Sequence, residues 1–365
     1  MSAAPPRLEA LTGARGIAAW LVVFYHLRLS LRDLLPEGAI AALGKGYLAV
    51  DFFFMLSGFV LWLNHADAMA RLDAARVARF WWRRVARIWP LHLLVLAGFV
   101  ALAALLALTG RNTSDYPPAE LPLHLLLVQN WGFTRALAWN HPAWSISAEL
   151  AAYLLFPLLA LSARWQAGTG ALLGLATLLL GGIWAWFAVH GESRLGADIT
   201  GLGLGRCLIE FALGTVAARL WRGWRGQGGR GGRIAAALAL AAIVVAGLGI
   251  ALGWAETAFV PAALLATLLA LSLAGGRCEG LLGRGPVLWL GEVSYATYLA
   301  HFGLFIAFKL VFVGPSLQLG GGGLALFVAL LLGLSGLLHR WVELPAQRWL
   351  NARCPGTPAR AFAPA

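Results

Sequence analysis

Residues 14–31 read ARGIAAWLVVFYHLRLSL. From Gly16 onward the run is apolar for close to the length of a membrane crossing, yet Arg15 stands at its start and His26 lies inside it. A charged or titratable side chain at that depth costs free energy, and it survives by pairing, by lining a wet cavity or by doing chemistry. Ten residues separate the two. At about 100° per residue they share one helical face, roughly 16 Å apart along the axis. A snorkelling arginine with a hydrogen-bonded core histidine fits this placement, and so does a reaction centre with one group at the membrane edge and another deeper.

Working outward, apolar runs of spanning length recur at 14–31, 47–64, 88–109, 142–163, 169–189, 201–220, 234–253, 257–274, 287–313 and 320–341. Hydrophobic residues make up 60% of the 365 and charged residues 12%, with a mean hydropathy of +0.75. A water-soluble core of this size requires no such balance. The expected fold is an all-α, polytopic transmembrane bundle of about ten helices. No small-residue cleavage site follows the first span, and Arg28 and Arg32 come directly after it, so it reads as a mature helix. Cys207, Cys278 and Cys354 show no CxxC or Cys/His spacing, which leaves neither a disulfide framework nor a metal site to expect.

The net charge of +12 would suggest nucleic acid in a soluble protein. Placing the N-terminus in the cytoplasm puts 20 of the 28 Lys and Arg residues in cytoplasmic segments, mainly 71–87, 219–233 and the C-terminal tail, as the positive-inside rule requires. The charge therefore reports orientation, no nucleic-acid partner is expected, and an even span count returns the C-terminus to the cytoplasm. Arg222 to Arg233 (RGWRGQGGRGGR) reads as a flexible connector and Gly320 to Gly323 as a turn. The chain divides into a membrane domain, 1–353, and a short cytoplasmic tail, 354–365.

With this topology Arg15 lies at the cytoplasmic boundary and His26 in the outer half of its span. Asp51, in GYLAVDFFFMLSGFVL, comes close to His26 in depth, with Ser57 deeper; capping the outer end of its helix is the plainer role for Asp51. Arg83, Arg84 and Arg87 end the basic segment in RRVARIWPL. Arg84 and Arg87, at i and i+3, share a face and suit a phosphate clamp, whereas positive-inside anchoring accounts for some of this charge. WSISAELAAYLLFP brings Trp144, Ser145, Ser147 and Glu149 into the fourth span, as a polar pocket or as a helix cap with an interfacial aromatic. Arg206 and Glu210, at i and i+4, read as a pair that neutralises itself. Tyr298 and His301 share a face of the ninth span, and Glu343 suits pairing with a cytoplasmic arginine. Arginines on the cytoplasmic side and His26, Asp51, Glu149 and His301 deeper suit an anionic donor and a proton-transfer site.

In order along the chain, Arg15-x10-His26, GYLAVDFFFMLSGFVL, RRVARIWPL, WSISAELAAYLLFP, GRCLIEFALG, LGEVSYATYLAH and WVELP resemble the acyltransferase 3 family of integral membrane acyltransferases. The resemblance covers residues 7–349. It implies transfer of an acyl group, most often acetyl, from acyl-CoA as co-substrate to a hydroxyl of a carbohydrate or other small acceptor, at the inner (cytoplasmic) membrane. It also implies that Arg15 and His26 matter for activity and that Arg84 and Arg87 engage the donor. Without the C-terminal SGNH domain of many glycan-modifying members, the chain resembles the stand-alone type. Neutral imidazole can take the proton of an attacking alcohol, so His26 is the expected general base, with Asp51 or Glu149 to orient it. Arg15 would bind CoA phosphate or stabilise developing charge. Direct transfer and an acyl-His26 intermediate both fit these residues, and a proton-coupled transporter of a glycan or lipid intermediate is the alternative from another class.

Overall fold

The computed structural model describes residues 8–225, 229–274, 276–313 and 318–354, and the described residues form helices and turns without strands. The helices are α1 (Glu9–Leu27), α2 (Glu37–Leu43), α3 (Ala49–Met69), α4 (Ala74–Leu108), α5 (Leu121–Leu126), α6 (Ala143–Ala160), α7 (Thr169–Ala188) and α8 (Ile199–Trp224). They continue with α9 (Gly229–Ala251), α10 (Glu256–Leu273), α11 (Gly276–Leu282), α12 (Gly285–Glu292), α13 (Ser294–Phe312), α14 (Gly321–Leu338) and α15 (Leu344–Ala352). Among the described residues, ten helical stretches are long and apolar enough to cross a bilayer, so the chain is an integral membrane protein. The face at which α1 begins is called the near face below. Ten crossings return Cys354 to it.

The centre of the bundle is α3 against α8, and glycine makes the contact possible. A Cβ on Gly58 would stand 2.0 Å from the Phe211 carbonyl oxygen, and one on Gly214 would stand 1.9 Å from that of Met55. In a membrane the lipid is as apolar as leucine, so such backbone contact, rather than hydrophobic contrast, holds helices together. Phe54, Met55, Phe59, Phe156 and Phe211 fill the space around it. α7, α9 and α14 are peripheral and present leucines and valines outward.

α1 is held as closely. Cβ atoms on Gly13 and Gly291 would lie 1.9 Å from the carbonyl oxygens of Leu282 and Thr12. This contact falls where the expected single span 287–313 is broken into α12 and α13. Val293, at φ −84°, ψ 0°, caps both helices, and the Ser294 hydroxyl donates to the Gly291 carbonyl at 2.8 Å, competing with the backbone ladder as serine does.

Three further segments differ from expectation. The third span, expected from residue 88, starts earlier and carries the basic run: α4 begins at Ala74, capped by Asp73, whose carboxylate accepts from the amides of Ala75 and Arg76. Its 35 residues reach roughly 52 Å, well beyond a hydrocarbon core of about 30 Å. Arg222 and Trp224 belong to α8 and Gly229 opens α9, so most of the expected connector is helical; 226–228 lie outside the described residues. Gly320 caps α14 and Gly321 starts it. Of the expected tail, 355–365 also lie outside the described residues.

Candidate active site

Two cavities approach each other inside the bundle, and Tyr298 borders both. The near cavity, about 400 Å³, runs from Leu8 and Asn64 at the near face past Arg15, Arg84, Arg87 and Glu149. The far cavity, about 470 Å³, runs from Lys45 and Gly196 at the opposite face to His26. Both are of a size that holds small ligands. Between them the Tyr298 hydroxyl meets Ser145 Oγ at 2.7 Å and donates to the Pro142 carbonyl at 3.2 Å.

In the near cavity Arg15 donates from Nε and Nη2 to the Gly291 carbonyl at 3.3 and 2.7 Å. That oxygen is at the C-terminal end of α12, where unsatisfied carbonyls attract a cation. The π turn His339–Glu343 between α14 and α15 brings His339 Nδ1 within 3.1 Å of Glu343, which is ion-paired with Arg87. Glu343 thus has the arginine partner expected for it. Among the described residues Arg84 makes no ion pair and its buried Nε has no hydrogen-bond partner; its guanidinium lies 5.7 and 5.9 Å from the rings of Phe80 and Tyr153. Arg83 is exposed on α4 and does not line the cavity. One turn apart on α6, Glu149 accepts from the Tyr153 hydroxyl at 2.5 Å, and Ser57 donates to that hydroxyl at 3.4 Å.

At the far cavity, His26 Nδ1 lies 2.9 Å from the Val22 carbonyl and 3.2 Å from His301 Nε2. His301 Nδ1 in turn lies 3.2 Å from the Thr297 carbonyl. A carbonyl can only accept, so both Nδ1 atoms carry hydrogen and His301 Nε2 accepts. His26 Nε2 is then the nitrogen with a lone pair for a ligand. Phe302 packs edge-on to His26 at 5.3 Å and stacks on His141 at 4.8 Å. Burial pushes His141 below the ordinary histidine range, against the opposing pull of Asp115.

The carboxylates expected to orient His26 do not reach it. Asp51 is fully buried and takes a bidentate ion pair from Arg206, with both bonds at 2.6 Å. Arg206 also donates to the Leu195 carbonyl and lies 5.6 Å from the Trp144 ring. Asp51, rather than Glu210, is therefore the partner of Arg206, because the α3–α8 contact brings the Asp51 carboxylate onto the guanidinium. Glu149 belongs to the near cavity. Ser147 lines neither cavity; its Oγ accepts from the Asn130 amide at 3.1 Å and ties down the loop before α6. Tyr295, His141, Arg28 and Arg194 line the cavities without having been picked out. Arg28 carried a signal, a cation two residues past His26 on the less basic face.

The domain model of the family described as "Acyltransferase domain" matches residues 8–339. The chain is 34% identical over 388 residues to acyltransferase MdmB of Streptomyces mycarofaciens, covering 96% of this chain and 95% of that protein. It is 35% identical over 183 residues to protein 2 in the picA locus of Rhizobium radiobacter, covering 46% of this chain and 87% of that protein. No solved structure matches.

Proposed function

Since the chain belongs to the acyltransferase family matched over residues 8–339, we propose that it moves an acyl group, most often acetyl, from acyl-CoA to a hydroxyl of a carbohydrate or other small acceptor. The observation that carries this reading is the pair of cavities on either side of Tyr298, the near one lined by Arg15, Arg84 and Arg87 and the far one containing His26. Most of the Lys and Arg residues lie toward the near face, which we place in the cytoplasm of an inner membrane. Acyl-CoA enters there. Arg84, whose guanidinium has no ion pair among the described residues, binds a CoA phosphate, and Arg15, held on Gly291, keeps positive charge beside the path of the donor.

The acyl end passes Tyr298 to reach an acceptor hydroxyl in the far cavity. His26 Nε2 takes the hydroxyl proton as the oxygen attacks the thioester carbonyl. The oxygen–carbon bond forms as the carbon–sulfur bond breaks, and the proton passes to the departing CoA thiolate. His301, rather than Asp51 or Glu149, orients the base, because it is the group in contact with His26 Nδ1. This is direct transfer, without an acyl-histidine intermediate.

Purified protein in detergent should release free CoA from acetyl-CoA when a hydroxyl acceptor is supplied. Absence of release across acyl chain lengths and acceptors, together with acceptor flux into proteoliposomes, would replace this reading with transport.

A further inference from the structure

The far cavity holds more positive charge than membrane orientation explains. Twenty of the 28 Lys and Arg residues lie in segments read as near-face, which leaves eight. Four of those eight, Arg28, Lys45, Arg194 and Arg206, line this one cavity, and no Asp or Glu does. Positive charge is ordinarily depleted on that side of a membrane, so its concentration around a cavity calls for a ligand.

Two of the four are already neutralised. Arg206 holds Asp51, and Lys45 reaches Glu256 at 2.5 Å, where Tyr47 and the Leu195 amide also donate to Glu256. Among the described residues, Arg28 and Arg194 have no carboxylate within ion-pair distance. Arg28 donates to the Tyr25 carbonyl and lies over the Tyr25 ring at 4.0 Å, which fixes its guanidinium beside the cavity. It follows His26 by two residues, roughly 3–4 Å further along the axis. Tyr25 and Tyr47 stand 5.5 Å apart at 65°, giving an aromatic wall next to this cation.

Resting on the proposed transfer at His26, we infer that the hydroxyl acceptor is anionic. Its carboxylate or phosphate is held by Arg28 and Arg194, its ring packs on Tyr25 and Tyr47, and its hydroxyl reaches His26 Nε2. Guanidinium groups bind both anions through paired N–H donors, so the two sources share one recognition chemistry. A neutral acceptor would need neither arginine.

The test is calorimetric binding of glucuronate, glucose 6-phosphate and glucose to the detergent-purified protein, without donor, for wild type and for Arg28→Gln/Arg194→Gln. Either anion should bind about ten-fold or more tightly than glucose, and the double variant should lose that preference. The tighter of the two anions then separates a carboxylate from a phosphate acceptor. Equal or undetectable binding of all three compounds, or a preference unchanged in the double variant, would overturn the inference. So would a double variant whose main defect is weaker acetyl-CoA binding, since the far cavity would then hold CoA phosphates. Anion preference in a protein that never releases CoA would instead count against acyl transfer and leave the anionic ligand standing.

Discussion

A histidine serves as a base through one nitrogen at a time, and what the other nitrogen touches decides which. His26 Nδ1 is shared between the Val22 carbonyl and His301, an arrangement that frees Nε2 without any carboxylate. In the proposed function His301 is thus a positioning residue. His301→Leu should lower kcat about ten-fold or more, within the range of acid–base contributions, with acyl-CoA KM unchanged. His301→Gln, which keeps an acceptor oxygen, should recover most of the loss; equal losses in both variants, or a loss confined to KM, would remove the orienting role. The arginines divide in the same way. Steady-state kinetics should show Arg84→Gln raising acyl-CoA KM about ten-fold. Arg87→Gln should instead lower thermal stability, because it leaves the buried Glu343 with His339 alone beside it, and breaking a buried ion pair costs up to about 3–5 kcal/mol. A pure KM effect from Arg87→Gln would return it to the donor site.

At the scale of elements, glycines decide what meets what. Asp51 finds Arg206 because Gly58 and Gly214 let α3 and α8 touch along their backbones. Gly214→Leu should lower the unfolding midpoint and the yield of folded protein, since its Cβ would overlap the Met55 carbonyl; overpacking of this kind costs about 1–3 kcal/mol or more. An unfolding midpoint equal to wild type would mean the helices are not in contact there. The loop between α4 and α6 brings a pH dependence. His124 is buried, which pushes its imidazole down to about 4, against roughly 6.5 in the unfolded chain. Its contribution is therefore full above pH 6.5 and is lost as pH falls toward 4. Thermal unfolding should show this acid loss in wild type and a smaller loss in His124→Gln.

For the whole molecule, the ten crossings were legible because hydropathy over a span is a local property of the chain, and the excess of arginine in 71–87 and 219–233 was legible for the same reason. The pairings were not. Asp51 and Arg206 are 155 positions apart, and Arg15 reaches Gly291 only because α12 stops at Glu292, a break with no proline at the junction to announce it. Span position put Asp51, Glu149 and His26 together in the outer half, and it did not show that Tyr298 separates two cavities entered from opposite faces, with Glu149 on the near side and His26 on the far side. His301 was visible as a mid-span histidine, but its contact with His26 depends on how α13 packs against α1.

The two cavities open toward opposite faces, and the proposed function asks donor and acceptor to enter from different sides and His26 to take the acceptor's proton. The decisive measurement is steady-state release of CoA from acetyl-CoA by purified wild type and His26→Ala, at matched expression and thermal stability. Loss of His26 should reduce kcat by about 10²–10⁴-fold while acetyl-CoA still binds at the near cavity. Turnover at the wild-type rate in His26→Ala would contradict a reaction centred on this histidine.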